Sequence, residues 1–249
     1  MWLHCLLPAA SGALLIQATL ADVPFSTDAE AYNPGALGTI PNQTFRSSPI
    51  IAPIFQVTTL DRDAADPTPY LFLEWSYDMA ASPMIFRSDD LSLVYCGNRY
   101  RAVTDVRVQH IGGKPHLTYW EGLKPLGSGI GHGHGYGIVL DETYELRCTI
   151  SPAGIRDGIP TDLHEFQFTD EGTALITVYD PIRYDLTPIG GSEDGILLDS
   201  VFQEIDPSTG EEIFTWRASD HWRPEDSLYL PIEIKNDILT STISTVCLR

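Results

Sequence analysis

A recurring pattern of short strands and polar turns runs from about Pro69 to Asp220 and limits the folds open to this chain. The pattern recurs about every 50 to 65 residues, which is the spacing of repeat architectures. Apolar and polar residues alternate within each copy, hairpin turns join the segments, and no stretch has helical periodicity. Four antiparallel strands per copy are typical of a β-propeller blade. We therefore predict an all-β protein built from about three four-stranded blades.

The strands and turns of each copy can be placed on the sequence. The predicted strands of the first copy are Tyr70–Trp75, Pro83–Phe86 and Leu91–Tyr95. Those of the second copy are Val106–Ile111, His116–Trp120, Gly137–Leu140 and Tyr144–Ile150, with a turn at Gly112-Gly113. The third copy runs from Asp162 to His221 and has turns at 170–172 and 207–210. We expect Val106–Ile111 and the segment 164–169 to be inner strands of neighbouring blades.

A β-sandwich is the main alternative, because it also has short strands and frequent turns. It does not readily explain why one unit recurs three times. Closed propellers have about four to eight blades, so three blades predict an open or incomplete propeller. Residues 228–249 contain β-branched residues without a matching pair of strands, and we interpret them as an atypical tail. The predicted organisation is a signal peptide at 1–21, an extended or β segment at 22–68, the partial propeller at 69–227, and this tail.

The N-terminus has the features of a secretory signal. Leu6–Leu20 is apolar but too short and too interrupted to span a bilayer, and small residues precede Asp22. Asn42 begins an N-x-S/T sequon, the acceptor sequence for N-glycosylation. We therefore predict a secreted, extracellular glycoprotein. In an oxidising compartment Cys96 and Cys148 could pair, although their spacing alone is equally compatible with two free thiols.

Composition excludes some classes of partner. The chain has 249 residues and a formal net charge of −19, from 15 basic and 34 acidic residues. Such an acidic surface argues against nucleic acid and anionic membranes as partners. The oligomeric state is left open by the sequence.

Histidines are the main candidates for catalytic or metal-binding residues in this chain. His164 follows a turn-like Pro-Thr-Asp segment at the mouth of a strand, and His221 follows a tryptophan-bearing strand. His132 and His134 flank Gly133 in a segment with six glycines between Gly127 and Gly137. Glycine favours a mobile loop there over a rigid ligand platform, and no third ligand is apparent. We therefore predict no metal site and no cofactor.

Several ordered motifs resemble those of the fungal arylsulfotransferase family, relatives of the bacterial arylsulfate sulfotransferases. The matching segments are Arg107–Gln109, Leu117–Gly122, Gly127–Gly137, Asp162–Phe166, Gly172–Thr177, Leu198–Asp206 and Ser219–His221. The segment Thr44–Pro49 is similar to the family's usual opening, so the resemblance covers about Thr44 to Ser227.

The resemblance implies a six-bladed propeller that moves a sulfuryl group from an aryl sulfate to a phenol through a histidine, without the nucleotide donor PAPS. It implies His164 and His221 as catalytic candidates, Arg107 and Trp120 as substrate-binding candidates, and aryl sulfates and phenols as small-molecule partners. The family's later repeats, which carry further histidines, do not follow Ser227, so we expect a truncated chain with little activity of its own. The alternatives are a non-catalytic secreted propeller that binds aromatic or carbohydrate ligands and, less favoured, a metal- or quinone-dependent propeller enzyme.

Overall fold

The computed structural model describes residues 23–61, 63–77, 80–97, 101–124, 131–156, 158–226, 232–235 and 242–247. The chain divides into two compact units, Met1–Asp61 and Arg62–Arg249. The predicted signal peptide at 1–21 lies outside the described residues. None of the described helices is long and apolar enough to cross a membrane.

The first unit is small and contains short elements. Strand β1 (Phe25–Ser26) pairs in parallel with β4 (Phe55–Gln56), and β2 (Asn42–Phe45) forms an antiparallel hairpin with β3 (Ser48–Pro53). One helical turn, α1 (Ala29–Tyr32), is capped by Asp28, whose Oδ1 accepts a hydrogen bond from the Ala31 amide at 3.0 Å. Asn42 of the predicted sequon is half-buried in β2, and its side-chain amide donates to the Ile40 carbonyl at 3.0 Å.

The second unit contains three consecutive sheets. The first has three strands, β5 (Tyr70–Tyr77), β6 (Ala80–Arg87) and β7 (Leu93–Cys96). The second has four strands, β8 (Ala102–Ile111), β9 (Lys114–Leu123), β10 (His134–Leu140) and β11 (Leu146–Ile150). The third begins with β12 (Phe166–Phe168), β13 (Ala174–Tyr184), β14 (Gly195–Ile205) and β15 (Glu212–Arg217).

Each of these three sheets is an antiparallel meander in which successive strands pair through hairpins. Gly112 and Gly113 both have positive φ, 59° and 76°, as a two-residue type I′ hairpin requires. The all-β prediction is confirmed. The second and third copies have four strands each, as predicted, and the described part of the first copy has three.

The alternation of side chains along each strand determines which face of the sheet is buried. In β13 the residues Ala174, Ile176 and Val178 are buried, and the residues between them are partly exposed. They pack with Val139 of β10 and Phe166 of β12 in one apolar cluster. The second and third sheets are therefore packed face to face, because the period of two directs one set of side chains into the shared core.

Side-chain hydrogen bonds hold β12 beside β8. The Gln109 side-chain oxygen accepts from the Phe168 amide at 2.7 Å, and its nitrogen donates to the Phe166 carbonyl at 3.2 Å. Arg107 donates to the same carbonyl at 2.5 Å. The first strands of two successive sheets are thus neighbours, and they contain the predicted segment Val106–Ile111 and residues 166–168 of the predicted segment 164–169.

The interpretation that residues 228–249 lack a matching pair of strands is corrected in their described part. Strands β16 (Ile232–Lys235) and β17 (Thr242–Cys247) form an antiparallel hairpin, and β17 pairs in parallel with residues 196–198 of β14. The Ile, Thr and Val residues of these segments suit strands. The repeat pattern did not predict this pairing, because β17 lies beside β14 in the third sheet and does not continue the antiparallel meander.

Cys96 and Cys148 are free thiols on the last strands of two different sheets, so the disulfide that the sequence left open is not formed here. Burial raises the pKa of the Cys148 thiol above its ordinary value. A raised pKa lowers the thiolate fraction at neutral pH and makes this cysteine a poor nucleophile.

Candidate functional site

The buried carboxylate of Asp162 is the centre of the candidate site. It is 1% exposed and lies in the segment between β11 and β12, two residues after Pro160. Its backbone amide donates to the Thr177 carbonyl of β13 at 2.8 Å, which fixes it to the third sheet. Its Oδ1 accepts from the Gly133 amide at 2.8 Å, and its Oδ2 from the His164 amide at 3.1 Å. These bonds hold the carboxylate in one orientation and compensate for its removal from water.

His164 is bound to this carboxylate through its ring. Its Nδ1 contacts Asp162 Oδ2, and the side chain is 46% exposed. A carboxylate that accepts the Nδ1 proton leaves Nε2 with its lone pair available, and it stabilises the imidazolium when Nε2 takes up a proton. The accessible nitrogen of His164 is therefore prepared to accept a proton or to attack an electrophile.

His132 and Tyr179 complete the cluster. His132 Nδ1 lies 3.6 Å from Asp162 Oδ1, and the His132 side chain is 9% exposed. Its ring packs on the Tyr179 ring with a centroid separation of 3.7 Å, and the His164 ring lies edge-on to it at 5.7 Å. His132, about 30 residues earlier in the chain, thus joins Asp162 and His164, so that two imidazoles and one carboxylate lie within reach of a common ligand.

The glycine-rich segment is a packing element, and the loop prediction was wrong for its described C-terminal part. Strand β10 begins at His134, and Gly133, Gly135 and Gly137 do not have positive φ. A Cβ on Gly133 or Gly135 would lie 2.6 Å from the Trp120 indole, so these glycines let the backbone pass close over the ring. The segment therefore supplies a rigid wall to the site. The earlier residues of the motif, 127–130, lie outside the described part.

Trp120, a predicted substrate-binding residue, is 1% exposed below this wall. Its indole nitrogen donates to Thr161 Oγ1 at 3.2 Å, and Thr161 forms a two-bond bridge with Gly135. Trp120 thus packs beneath the segment that ends at Asp162. Trp120 is linked to the site by its contacts with Thr161 and with Gly133 and Gly135.

Arg107, the other predicted substrate-binding residue, is engaged with protein groups. Its Nη2 lies 2.9 Å from Asp105 Oδ2 and 3.0 Å from Glu165 Oε1. Asp105 lies at a strand irregularity and has a φ of 58°, a conformation that Asp tolerates better than most residues. Burial raises the pKa of Asp105, and the charge of Arg107 acts in the opposite direction. Arg107 thus joins β8 to the residue next to His164.

His221, the second predicted catalytic residue, lies elsewhere. It ends a short 3-10 helix, residues 218–220, and stacks on Trp216 with a centroid separation of 5.1 Å and an interplanar angle of 9°. The group of three possible ligands found among the described residues comprises His132, Asp162 and His164, without His221. The structure therefore separates the two predicted histidines into different environments.

The sequence analysis missed Asp162, His132 and Tyr179 as members of the site. Asp162 had a readable signal, because a carboxylate two residues before a histidine can turn back onto its amide and ring. His132 was considered only as a partner of His134, which is exposed. Tyr179 had no signal, because alternation in β13 shows only that it lies opposite the core face.

The motifs that resembled a family in the sequence meet at this site. Gly133 from the glycine-rich motif bonds Asp162, Trp120 bonds the preceding residue, and Arg107 and Gln109 bond Phe166. The chain is thus an all-β protein in which these motifs together position a buried carboxylate, Asp162, beside His164.

Comparison with known families narrows this description. Residues 107–236, just over half of the chain, match the sequence model of the arylsulfotransferase (ASST) family. The chain therefore belongs to the arylsulfotransferase family. No curated protein and no solved structure matches it.

Proposed function

We propose that this chain is a secreted β-propeller protein that transfers a sulfuryl group from an aryl sulfate to a phenol, with His164 as the proton-transferring residue. The family supports the reaction class, and the Asp162–His164 pair is the observation that supports the role of His164. The four-stranded meanders of the second and third sheets support the assignment of these sheets as propeller blades. Secretion rests on the N-terminal apolar segment and the sequon.

The proposed chemistry uses groups that the site holds in place. An attacking phenol must lose its proton as its oxygen forms the new S–O bond, and the S–O bond to the donor phenolate breaks. Nε2 of His164 accepts that proton, and Asp162 stabilises the resulting imidazolium through Nδ1. The same imidazolium returns the proton to the departing phenolate, so protons balance over one transfer. A half-exposed ring beside a buried carboxylate permits both substrate access and fixed orientation.

The test is transfer from a chromogenic aryl sulfate to a phenol by the purified chain, compared with His164→Ala and Asp162→Asn. We expect a low rate for the wild-type chain, so the assay measures slow turnover. Loss of a proton-transferring group costs on the order of a hundredfold or more in rate, so His164→Ala should fall below the wild-type rate by about that factor. Asp162→Asn should also reduce the rate, because an amide cannot stabilise the imidazolium. The control is His110→Ala, since His110 is exposed on β8 and outside the cluster.

Equal rates for wild type and His164→Ala would remove His164 from the mechanism. An inactive wild-type protein that still binds aryl ligands would contradict transfer and favour the non-catalytic binding protein. N-terminal sequencing of secreted material would test secretion, and we expect it to begin within a few residues of Asp22.

A further inference from the structure

The cluster of His132, Asp162 and His164 has a second chemical property that proton transfer does not use. Each residue offers one ligand atom, and these atoms lie within 4.8 Å of one another. In a tetrahedral zinc site with bonds of about 2.0 to 2.2 Å, neighbouring ligand atoms are about 3.3 to 3.5 Å apart. Small side-chain rotations therefore suffice to bring the three atoms onto one ion.

We infer that His132, Asp162 and His164 form a binding site for a divalent transition-metal ion such as Zn²⁺. Two imidazole nitrogens and one carboxylate oxygen suit Zn²⁺ better than Mg²⁺ or Ca²⁺, which prefer sets of oxygen ligands. Three protein ligands leave a fourth position for water or a substrate oxygen. This conclusion revises the prediction of no metal, which depended on the apparent lack of a third ligand.

The surroundings of the cluster favour a bound cation. The Gly133 amide holds Asp162 Oδ1 at 2.8 Å, the kind of hydrogen bond that orients carboxylate ligands. The close approach of Gly133 to Trp120 fixes the backbone next to His132. His164 is 46% exposed, so an ion has a route from solvent and the ring has room to rotate. The net charge of −19 raises the local concentration of divalent cations.

The burial of the Asp162 carboxylate also favours retention of a bound ion. Asp162 is 1% exposed, and its carboxylate accepts hydrogen bonds from the Gly133 and His164 amides and contacts His164 Nδ1. A divalent ion would interact with this carboxylate in surroundings that water screens weakly. Metal ligation and the proposed proton transfer use the same imidazole, but metal binding is measured without substrate, so either can fail independently of the other.

The experiment titrates Zn²⁺ into the chelator-treated 249-residue chain and measures binding by calorimetry, with Co²⁺ absorption as a readout of coordination. We expect one ion per chain and visible bands typical of four- or five-coordinate Co²⁺. His132→Ala and His164→Ala should each weaken binding at least about tenfold, since even loss of an outer-shell partner has an effect of about that size. The matched control is His134→Ala, two residues from His132 but exposed and outside the cluster.

Asp162→Asn should weaken binding as well, but it also perturbs the bonds to Gly133 and His164. The two histidine variants therefore decide the question, and circular dichroism verifies that each is folded. The inference is overturned if the wild type shows no saturable binding at one ion per chain. It is equally overturned if His132→Ala and His164→Ala bind like the wild type, or if His134→Ala weakens binding as much as His132→Ala.

Discussion

At the residue scale, short polar side chains fix the turns of this protein. An Asp followed two residues later by Thr or Ser recurs in five turns, and in each the carboxylate accepts from the backbone amide of that residue. The five acceptors are Asp66, Asp90, Asp141, Asp185 and Asp206. This pattern is the Asx-turn, in which a side chain replaces a backbone carbonyl. The sequence analysis predicted the turn at 207–210 from its polar composition without identifying the hydrogen bond to Asp206 that forms it.

The Asp141 turn makes stability depend on pH. Hydrogen bonds from the Thr143 hydroxyl, the Thr143 amide and the Glu145 amide lower the pKa of Asp141 below its ordinary value of 3.8. Because the folded pKa is the lower one, this contribution to stability is present above pH 3.8 and is lost as pH falls through the folded pKa. Asp141→Asn keeps an acceptor oxygen but does not titrate. We therefore expect its melting temperature to fall less steeply than that of the wild type in this acid range.

Thermal unfolding at a series of pH values between neutral and strongly acidic measures this difference. Near neutral pH the two proteins should be close, since Asn also forms Asx-turns. Parallel curves for the two proteins throughout the acid range would show that the Asp141 carboxylate does not contribute in this way.

At the scale of elements, alternation and turn chemistry predicted most of the second unit. The predicted hairpins of the second and third copies correspond to β8–β15, because a period of two and glycine or Asx-turns specify strand and register locally. Side-chain contacts between different sheets could not be predicted from such local patterns. The Gln109 bonds to β12 connect residues 57 and 59 positions apart, and no local pattern marks them. His132 was missed as a neighbour of Asp162 for the same reason, since the two lie 30 positions apart in the sequence.

The Gln109 contact gives a prediction at this scale. Its side chain satisfies the amide of Phe168 and the carbonyl of Phe166, two buried residues of β12. Gln109→Ala leaves the Phe168 amide without this partner, whereas the Phe166 carbonyl keeps its bond from Arg107. An unsatisfied buried polar group costs about 1 to 3 kcal/mol. We expect the free energy of unfolding, measured by urea denaturation, to fall by about that amount. Gln167→Ala is the control, because Gln167 lies between the same two residues but is exposed. An equal effect of both substitutions would indicate that the inter-sheet bonds of Gln109 are not the cause.

At the scale of the whole molecule, the amino-acid composition argued against some classes of binding partner but said little about the fold. The repeat predicted an all-β chain, and the excess of acidic residues argued against nucleic acid. Neither feature could indicate that β17 pairs in parallel within the third sheet, because that contact joins segments about 50 residues apart. The free state of Cys96 and Cys148 likewise depends on which sheet each strand joins.

The excess of negative charge leads to a last prediction about stability. With 34 acidic and 15 basic residues, the folded chain concentrates like charges, and their mutual repulsion destabilises the compact state. Salt shortens the range of this repulsion, since the Debye length falls from about 10 Å at 0.1 M to about 3 Å at 1 M. The ion pairs of Arg217 with Asp180 and Asp199 should resist screening, because both carboxylates are almost fully buried. We therefore expect the melting temperature to rise as NaCl increases from about 0.02 M to about 0.5 M.

Potassium chloride should act like sodium chloride if screening is the cause, whereas a melting temperature that falls with both salts would show that attractive surface pairs outweigh the net repulsion.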